Sequence, residues 1–341
     1  MSQTYLIIDT PNLFFRARHS SPKKSDIWTK LGLSLHVTLM SANKMAKRFN
    51  ADHIVFTLEG KSWRKEAYPP YKKNRAVAYA ALTEKEKEED ALFWETYENL
   101  AGFLNEKTNC SVIRCPIAEG DDVIARWIAL HPQDQHIIVS GDTDFVQLVS
   151  ENVKQYDGIK DHLITIEGVF DDRGNPVINS KTKAPMAAPN PSWLLFEKCM
   201  RGDTSDNIFS AYPGVRTKGT KNKVGLQEAF GDREKKGYNW NNLMLQRWID
   251  HNGVEHRVFD DYERNRSLID LTAQPEDVKV EVDKSIREQI SHKDVGLVGI
   301  HFMKFCGKYD LLKCSEFLEQ FARWMNMTYK GILNEEETES Q

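Results

Sequence analysis

Short apolar runs alternate with segments of helical spacing along the first 140 residues of this 341-residue chain. The apolar runs lie at 4–9, 53–58, 111–115 and 136–140. Between them, apolar residues recur every three or four positions in 29–49, 91–107 and 123–130. Parallel strands are buried on both faces and are joined by helical crossovers, which produces this alternation. The pattern therefore predicts an α/β fold with a twisted, mostly parallel central sheet and flanking helices.

Acidic residues stand where the predicted strands end. They are, in chain order, Asp9, Glu59, Glu119, Asp121, Asp122, Asp142 and Asp144. Ligands of an open parallel sheet bind beyond the carboxyl ends of its strands, and these ends share one edge. Crowded carboxylates repel one another unless a cation neutralises them, and hard divalent cations prefer oxygen ligands. The set predicts a divalent-cation site, although any one of these acids alone is more often a turn former or helix cap.

A second acidic feature is the segment RGDTSDNI, which contains Asp203 and Asp206. A spacing of three places both carboxylates on one side of a helical turn. Gly202 allows the backbone to approach a neighbouring group closely. An ordinary capping loop explains this pair equally well.

Basic residues cluster although the formal net charge is −4. Residues 61–75 contain six basic residues and one acid, and residues 216–236 contain seven basic and three acidic residues. Local clusters, rather than net charge, indicate a surface that binds phosphates. The two clusters therefore predict nucleic-acid contacts, with solvated basic surfaces as the alternative.

The chain divides by composition near residue 190. We predict an α/β core at 1–190, with a solvent-facing excursion at 61–90 and a Pro-rich loop or hairpin at 171–192. A mainly helical region packed on the core follows at 191–333, with helices predicted at 192–200, 224–230, 240–251, 260–270 and 315–326. The acidic tail at 334–341 predicts disorder.

Five cysteines without a CxxC pair, no long apolar stretch and no signal peptide lead us to expect a cytoplasmic protein.

Taken together, these segments resemble the 5′-nuclease family. That family includes flap endonucleases, the 5′-nuclease domain of bacterial DNA polymerase I and bacteriophage 5′-3′ exonucleases that remove replication primers. The similarity covers about 1–275, is greatest to the phage enzymes, and rests on five segments in order: IIDTPNLFFRARH, the stretch from Glu59 to Arg75, AEGDDVIA, SGDTDF and RGDTSDNI. The resemblance implies a PIN-like nuclease core, a helical arch at 61–90 and a helix-turn-helix that binds duplex.

The resemblance also implies roles for individual residues. The metal ligands would be Asp9, Glu59, Glu119, Asp121, Asp122, Asp142, Asp144, Asp203 and Asp206. Arg16, Lys72 and Arg75 would act beside the cleaved phosphate, with Lys72 and Arg75 sharing a helix face. Nucleic acid would be bound by Lys61, Arg64, Tyr71, Lys73, Gly214, Arg216, Lys218, Lys221 and Lys223, with Tyr71 either stacking on a base or packing on neighbouring prolines.

The implied function is structure-selective, sequence-independent hydrolysis of phosphodiester bonds by two Mg²⁺ ions, for which Mn²⁺ could substitute. Substrates would be DNA with 5′ flaps or ends and RNA primer-DNA hybrids, and partners a single-strand-binding protein or sliding clamp. We expect a monomer without membrane contact, in the host cytoplasm for a phage protein.

Two departures from the family pattern stand out. Glu59 occupies a position where the family usually has Asp, which leaves direct or water-mediated metal binding open. The loop after Gly214 is longer and more basic than the family's Gly-x-Gly turn, where a monovalent K⁺ would bind.

Two alternatives remain open. A non-catalytic accessory protein would bind branched DNA without cutting it, although such a protein would be expected to have lost acids. A PIN-like ribonuclease of the compact toxin type would have a different specificity, although such proteins are usually near half this length.

Overall fold

A computed structural model describes residues 2–20 and 25–333. Its main sheet has seven strands: β1 (Thr4–Asp9), β2 (His53–Thr57), β3 (Ser111–Ile113), β4 (Gln135–Val139), β5 (Val153–Asp157), β6 (His162–Thr165) and β7 (Gly168–Phe170). The spatial order is β3-β2-β1-β4-β5-β6-β7. β1 to β5 pair in parallel, and β6 and β7 extend the sheet as antiparallel strands. The predicted mostly parallel sheet is confirmed, and β8 (Arg247–Ile249) and β9 (Glu255–Arg257) form a separate hairpin.

Helices flank the sheet and make up most of the later chain. The first six are α1 (Thr10–Ser20), α2 (Ile27–Phe49), α3 (Arg64–Ala67), α4 (Lys73–Ala80), α5 (Glu84–Lys107) and α6 (Gly120–Leu130). The others are α7 (Pro191–Arg201), α8 (Leu226–Gly231), α9 (Tyr238–Met244), α10 (Val258–Ile269), α11 (Glu276–Gln289), α12 (Val298–Lys308), α13 (Leu312–Ser315) and α14 (Leu318–Met325). Short 3₁₀ helices lie at Thr143–Leu148 and Arg233–Lys235. No helix in the described ranges is long and apolar enough to span a bilayer.

The chain forms two compact units. The described parts of 1–62, 82–189 and 276–341 form the first, which we call the sheet unit. Residues 63–81 and 190–275 form the second, which we call the helical unit. This division differs from the predicted boundary near 190, because residues after 275 return to the sheet unit and part of the 61–90 excursion belongs to the helical unit. The predicted disordered tail, 334–341, lies outside the described residues.

The core of the sheet unit surrounds β1, whose Tyr5 to Ile8 are fully buried. The predicted apolar faces of α2 and α5 pack here, including Leu35 and Leu39 of α2 and Tyr97 of α5. The returning C-terminal helices complete the same core: the ring of Phe305 in α12 stacks on Phe103 of α5 at 4.3 Å between centroids. This aromatic packing explains why 276–333 belong with the sheet rather than with 190–275.

The helical unit has its own apolar core. Phe196 and Met200 of α7 pack with Leu226 of α8, Trp240 of α9 and Val258 of α10. Each of these short helices therefore buries one apolar face against its neighbours, which stabilises helices too short to persist alone.

Some local elements differ from the pattern of apolar residues. Residues 10–20 form α1, which apolar periodicity did not predict. The excursion at 61–90, where the resemblance implied a helical arch, contains α3 and α4, and α5 begins there at Glu84, where Thr83 and Glu86 form a capping box. The helix predicted at 240–251 ends at Met244 and is followed by β8. These segments are short or highly charged, so their apolar periodicity is weak.

Gly60 follows Glu59 where the chain leaves β2, and its lack of a side chain is required there. A Cβ at this position would lie 1.9 Å from the carbonyl oxygen of Cys115 and 2.6 Å from that of Ala118. Gly102, inside α5, has no neighbour within 4 Å of such a Cβ.

We predict that Gly60→Ala destabilises the protein by about 2 kcal/mol or more, because backbone oxygens must move. Gly102→Ala is the matched control and should stabilise the protein by about 0.5–1 kcal/mol through its higher helix propensity. Urea unfolding of both variants measures the two effects. A Gly60→Ala protein as stable as the wild type would contradict the close packing of this turn.

Candidate functional site

The carboxyl edge of the parallel sheet brings acidic residues together in the sheet unit. β1 ends at Asp9, Glu59 follows β2 by two residues, and Asp142 follows β4 by three. β1 lies between β2 and β4 and is parallel to both, so the three acids leave the sheet at the same edge. The topology thus brings about the convergence expected from the sequence.

The Asp9 carboxyl has a raised pKa at this sheet edge. Burial, with smaller contributions from the negative charges of Asp142 and Glu59, raises the pKa of Asp9 to about 7. Hydrogen bonds from the Ser140 hydroxyl at 2.6 Å and the Asn12 N–H at 3.2 Å act in the opposite direction. Negative charge at this edge is therefore held at a cost in free energy that a cation would relieve.

A hydrogen-bonded turn after β4 connects the acids. The Ser140 hydroxyl donates to Asp9 Oδ2 and accepts from the Asp142 N–H at 3.0 Å. The Gln155 amide donates to the carbonyl oxygens of Ser140, at 3.0 Å, and Asp142. Asn12 Oδ1 accepts from the Gly141 N–H at 3.2 Å. Sequence reasoning missed Ser140, Asn12 and Gln155 as supporting residues, although Ser140 and Asn12 stand within the quoted motifs.

The remaining acids of this unit lie beside helix N-termini. Glu59 Oε2 accepts from the Gly120 N–H at 3.2 Å, at the start of α6. Asp122 is fully buried and accepts from the N–H of Glu119 at 3.2 Å. Asp142 caps the following 3₁₀ helix by accepting from the Asp144 N–H at 2.9 Å. Backbone N–H groups thus also hold these carboxylates, which agrees with the turn and helix-cap roles that single acids usually have.

Two further predicted site residues, Asp121 and Arg16, also belong to the sheet unit. Asp121 is half-buried in the first turn of α6. Arg16 of α1 lies against the turn after β4, since a Cβ on Gly141 would lie 2.0 Å from its Nη1. The structure therefore places Arg16 at the same sheet edge as the acids that it was predicted to accompany.

The donor set suits a hard divalent cation, since it consists of carboxylate oxygens, one of them buried among like charges. Within 2–20 and 25–333, no three His, Cys, Asp or Glu side chains are arranged so that they could hold a metal ion. Asp9, Glu59, Asp122 and Asp142 each accept a hydrogen bond from a backbone or hydroxyl donor.

Asp203 and Asp206 lie in the helical unit, each paired with cationic side chains. Burial alone would raise the pKa of Asp203, but the hydrogen bond and charge of Lys198, at 2.7 Å, and the Ser205 donors lower it to about 2. Asp206 accepts from the Tyr71 hydroxyl at 3.0 Å and pairs with Arg75 at 2.7 Å and Lys72 at 3.7 Å.

Lys72 and Arg75 do not share a helix face as predicted. Lys72 precedes α4 in a left-handed conformation, with φ of 52°. Both side chains nevertheless reach one anionic group, the Asp206 carboxylate. The two side chains meet at this carboxylate through a loop conformation rather than a shared helix face.

Two residues predicted to contact nucleic acid, Arg64 and Tyr71, are buried in this structure. The side chain of Arg64 is only 2% exposed and donates from Nε to the carbonyl oxygen of Leu268 at 2.7 Å, so it does not reach a phosphate. Tyr71 is 4% exposed and packs in an apolar cluster with Ile208, which leaves no ring face for a base. Sequence distinguishes residue types, whereas these roles depend on burial.

The other predicted contacts lie at the surface. The exposed cations are Lys61, Lys73, Arg216, Lys218, Lys221 and Lys223. Gly214 is exposed and has a φ of 74°, a conformation that favours glycine.

An acidic site at the carboxyl edge of a parallel sheet, in a chain with exposed basic loops, defines an α/β protein suited to phosphate chemistry. Residues 4–174 match the family described as 5′-3′ exonuclease, N-terminal resolvase-like domain. The chain is 32% identical to the flap endonuclease Xni of Shewanella loihica over 230 residues. This aligned region is 66% of this chain and 76% of that protein. The chain belongs to the 5′-3′ exonuclease family, which confirms the resemblance.

Two further comparisons extend over more of the chain. DNA polymerase I of Rhizobium leguminosarum is 26% identical over 299 residues, which are 81% of this chain but only 25% of the polymerase. A crystal structure of the bacteriophage T5 flap endonuclease with DNA and metal ions has a TM-score of 0.56 and 22% identity, covering 84% of this chain and 98% of that one. The structural likeness confirms the fold, and the relatives support flap endonuclease or 5′-3′ exonuclease activity.

We predict that Asp9→Asn makes the metal-free protein more stable at pH 8. The folded protein keeps the Asp9 proton up to a pH of about 7, whereas the unfolded chain loses it near pH 4. The free energy of unfolding therefore falls as pH rises from about 4 to about 7. The neutral amide avoids this loss, so its advantage should disappear near pH 4. Thermal melting in EDTA at both pH values measures the effect, with Asp172→Asn, an exposed acid, as the control. Lower stability of Asp9→Asn at pH 8 would contradict the assignment.

Proposed function

We propose that this protein is a structure-selective, sequence-independent 5′ nuclease that acts on DNA 5′ ends and flaps and on RNA primers paired with DNA. Its role would be in DNA replication or repair. The observation that carries the proposal is the buried Asp9 carboxylate beside Asp142 and Glu59, at the sheet edge of a 5′-3′ exonuclease family chain.

Divalent cations are part of this proposal. The proposed ligands of two Mg²⁺ ions, or of Mn²⁺, are the seven acids of the sheet unit, with Asp203 and Asp206 assigned from the resemblance. When bound, such ions lower the pKa of a coordinated water and stabilise the leaving oxygen. A K⁺ ion near Gly214 belongs to the same proposal.

The chain's own residues would orient the substrate and neutralise its charge. Arg16 lies against the turn that carries Asp142, so its guanidinium is available to a phosphate at this sheet edge. Lys72 and Arg75 already share one anion, the Asp206 carboxylate, and a phosphate would compete for the same donors. Arg75 is more than half exposed, which favours direct contact with substrate.

Sequence independence follows from the kind of contact. The exposed cations of the helical unit would contact phosphates, which position a duplex and carry no base information. Binding should therefore weaken steeply with salt. We further propose a cytoplasmic monomer that works with a single-strand-binding protein or sliding clamp.

We predict that Asp142→Asn lowers cleavage of a 5′-labelled flap in Mg²⁺ by about 100-fold or more, because it removes charge where the metals would bind. The Asn oxygen can still accept from the Asp144 N–H, so the turn should persist. Flap binding, measured separately in EDTA, should change little. Asp172→Asn serves as the control for an acid outside the site.

The outcomes separate the open alternatives. Wild-type protein that cuts at the junction in Mg²⁺ but not in EDTA supports the nuclease. Flap binding without cutting in Mg²⁺ or Mn²⁺ would favour the non-catalytic accessory protein. Unchanged turnover of Asp142→Asn would contradict the proposed metal site, and cleavage confined to single-stranded RNA would favour the PIN-like ribonuclease.

A further inference from the structure

The basic loop at 215–225 in the helical unit has an ordered alternation of side chains. In its first half Arg216 and Lys218 are exposed, whereas the residues on either side of each, Val215, Thr217 and Gly219, are half-buried. Lys221 and Lys223 are also exposed on the returning half of the loop. All four cations thus point to solvent, and in the returning half Thr220 and Asn222 are exposed beside them. Contacts with α7 and α8 hold the loop in this conformation.

Arg201, the last residue of α7, holds the first half of the loop. Its Nη1 donates to the Val215 carbonyl oxygen at 3.3 Å, and its Nη2 donates to the Thr217 hydroxyl at 2.6 Å. Its Nε donates to Glu197 Oε1 at 2.9 Å, which orients the guanidinium from one turn earlier in α7. Three of its donors are therefore used within the protein, two of them on the loop.

Glu228, in the first turn of α8, joins the two halves of the loop. Its Oε2 accepts from the Gly219 N–H at 2.9 Å and from the Gly225 N–H at 3.0 Å. The glycines allow this closure, because a Cβ on Gly225 would lie 2.3 Å from the Gly219 nitrogen. Backbone hydrogen bonds from Leu226 to Arg216 and from Thr220 to Lys223 complete it, at 3.0 and 2.7 Å.

We propose that Arg201 and Glu228 are positioning residues for duplex binding, which hold the 215–225 loop so that its four cations meet phosphates together. This inference rests on the proposed function, since it concerns the same DNA substrate. A preorganised loop loses less conformational freedom on binding than a mobile one. The sign of the Glu228 effect is distinctive, because a carboxylate beside DNA weakens binding by charge alone, whereas this one would strengthen it.

The test compares three variants of the two positioning residues with two control variants. Arg201→Ala should weaken binding of a fluorescent blunt duplex in EDTA by about tenfold, the scale of one charged hydrogen bond. Arg201→Lys keeps the charge but cannot make all three contacts, so it should bind nearly as weakly. Glu228→Ala should also weaken binding although it removes a negative charge. The controls are Arg247→Ala and Glu234→Ala, which remove exposed charges elsewhere in the unit and should stay within about twofold of the wild type.

Two further readouts separate positioning from general structure. Amide hydrogen exchange in 216–225 should quicken in Arg201→Ala and Glu228→Ala, while thermal melting stays near that of the wild type. In flap cleavage both variants should raise KM with kcat unchanged. Wild-type affinity in Arg201→Lys, or tighter binding by Glu228→Ala, would overturn the inference while leaving the nuclease proposal intact. Wild-type protein that binds no duplex would overturn both.

Discussion

The buried carboxylate of Asp9 is held beside Asp142 and Glu59, and burial with like charges raises its pKa to about 7. A protein selected only for stability would place an apolar residue at this position of a buried strand. The parallel sheet brings all three acids to one edge, and the hydrogen bonds that Ser140 and Asn12 donate to Asp9 offset part of this cost. Stability given up locally is typical of a site that a ligand completes.

Much of this edge could be predicted from the sequence. Continuous apolar runs mark buried parallel strands, and the acids that follow them must meet where those strands end. The supporting residues were not predicted, because the bond between Ser140 and Asp9 joins positions 131 residues apart. Hydrogen bonds of this kind depend on the register of β1 against β4, which apolar periodicity does not specify.

The sequence also did not reveal which charged and aromatic side chains are buried, or that residues after 275 belong to the sheet unit. Arg64 and Tyr71 belong to a basic, aromatic stretch that looks suited to nucleic acid, yet tertiary packing buries both. Residues after 275 return to the sheet unit because the aromatic rings of α12 pack on α5, a preference that local composition does not reveal. In contrast, the exposed cations of 215–225 were anticipated, whereas the Arg201 and Glu228 contacts that order them were not.

Anomalous diffraction from crystals soaked in MnCl₂ would test the central claim most directly. The carboxylates of Asp9, Glu59 and Asp142 should ligate bound Mn²⁺, with peaks roughly 2.2 Å from their oxygens, near the spacing of divalent cations and oxygen ligands. Two such peaks at this sheet edge would support a two-metal site. No peak there, at a Mn²⁺ concentration that supports flap cleavage, would contradict it.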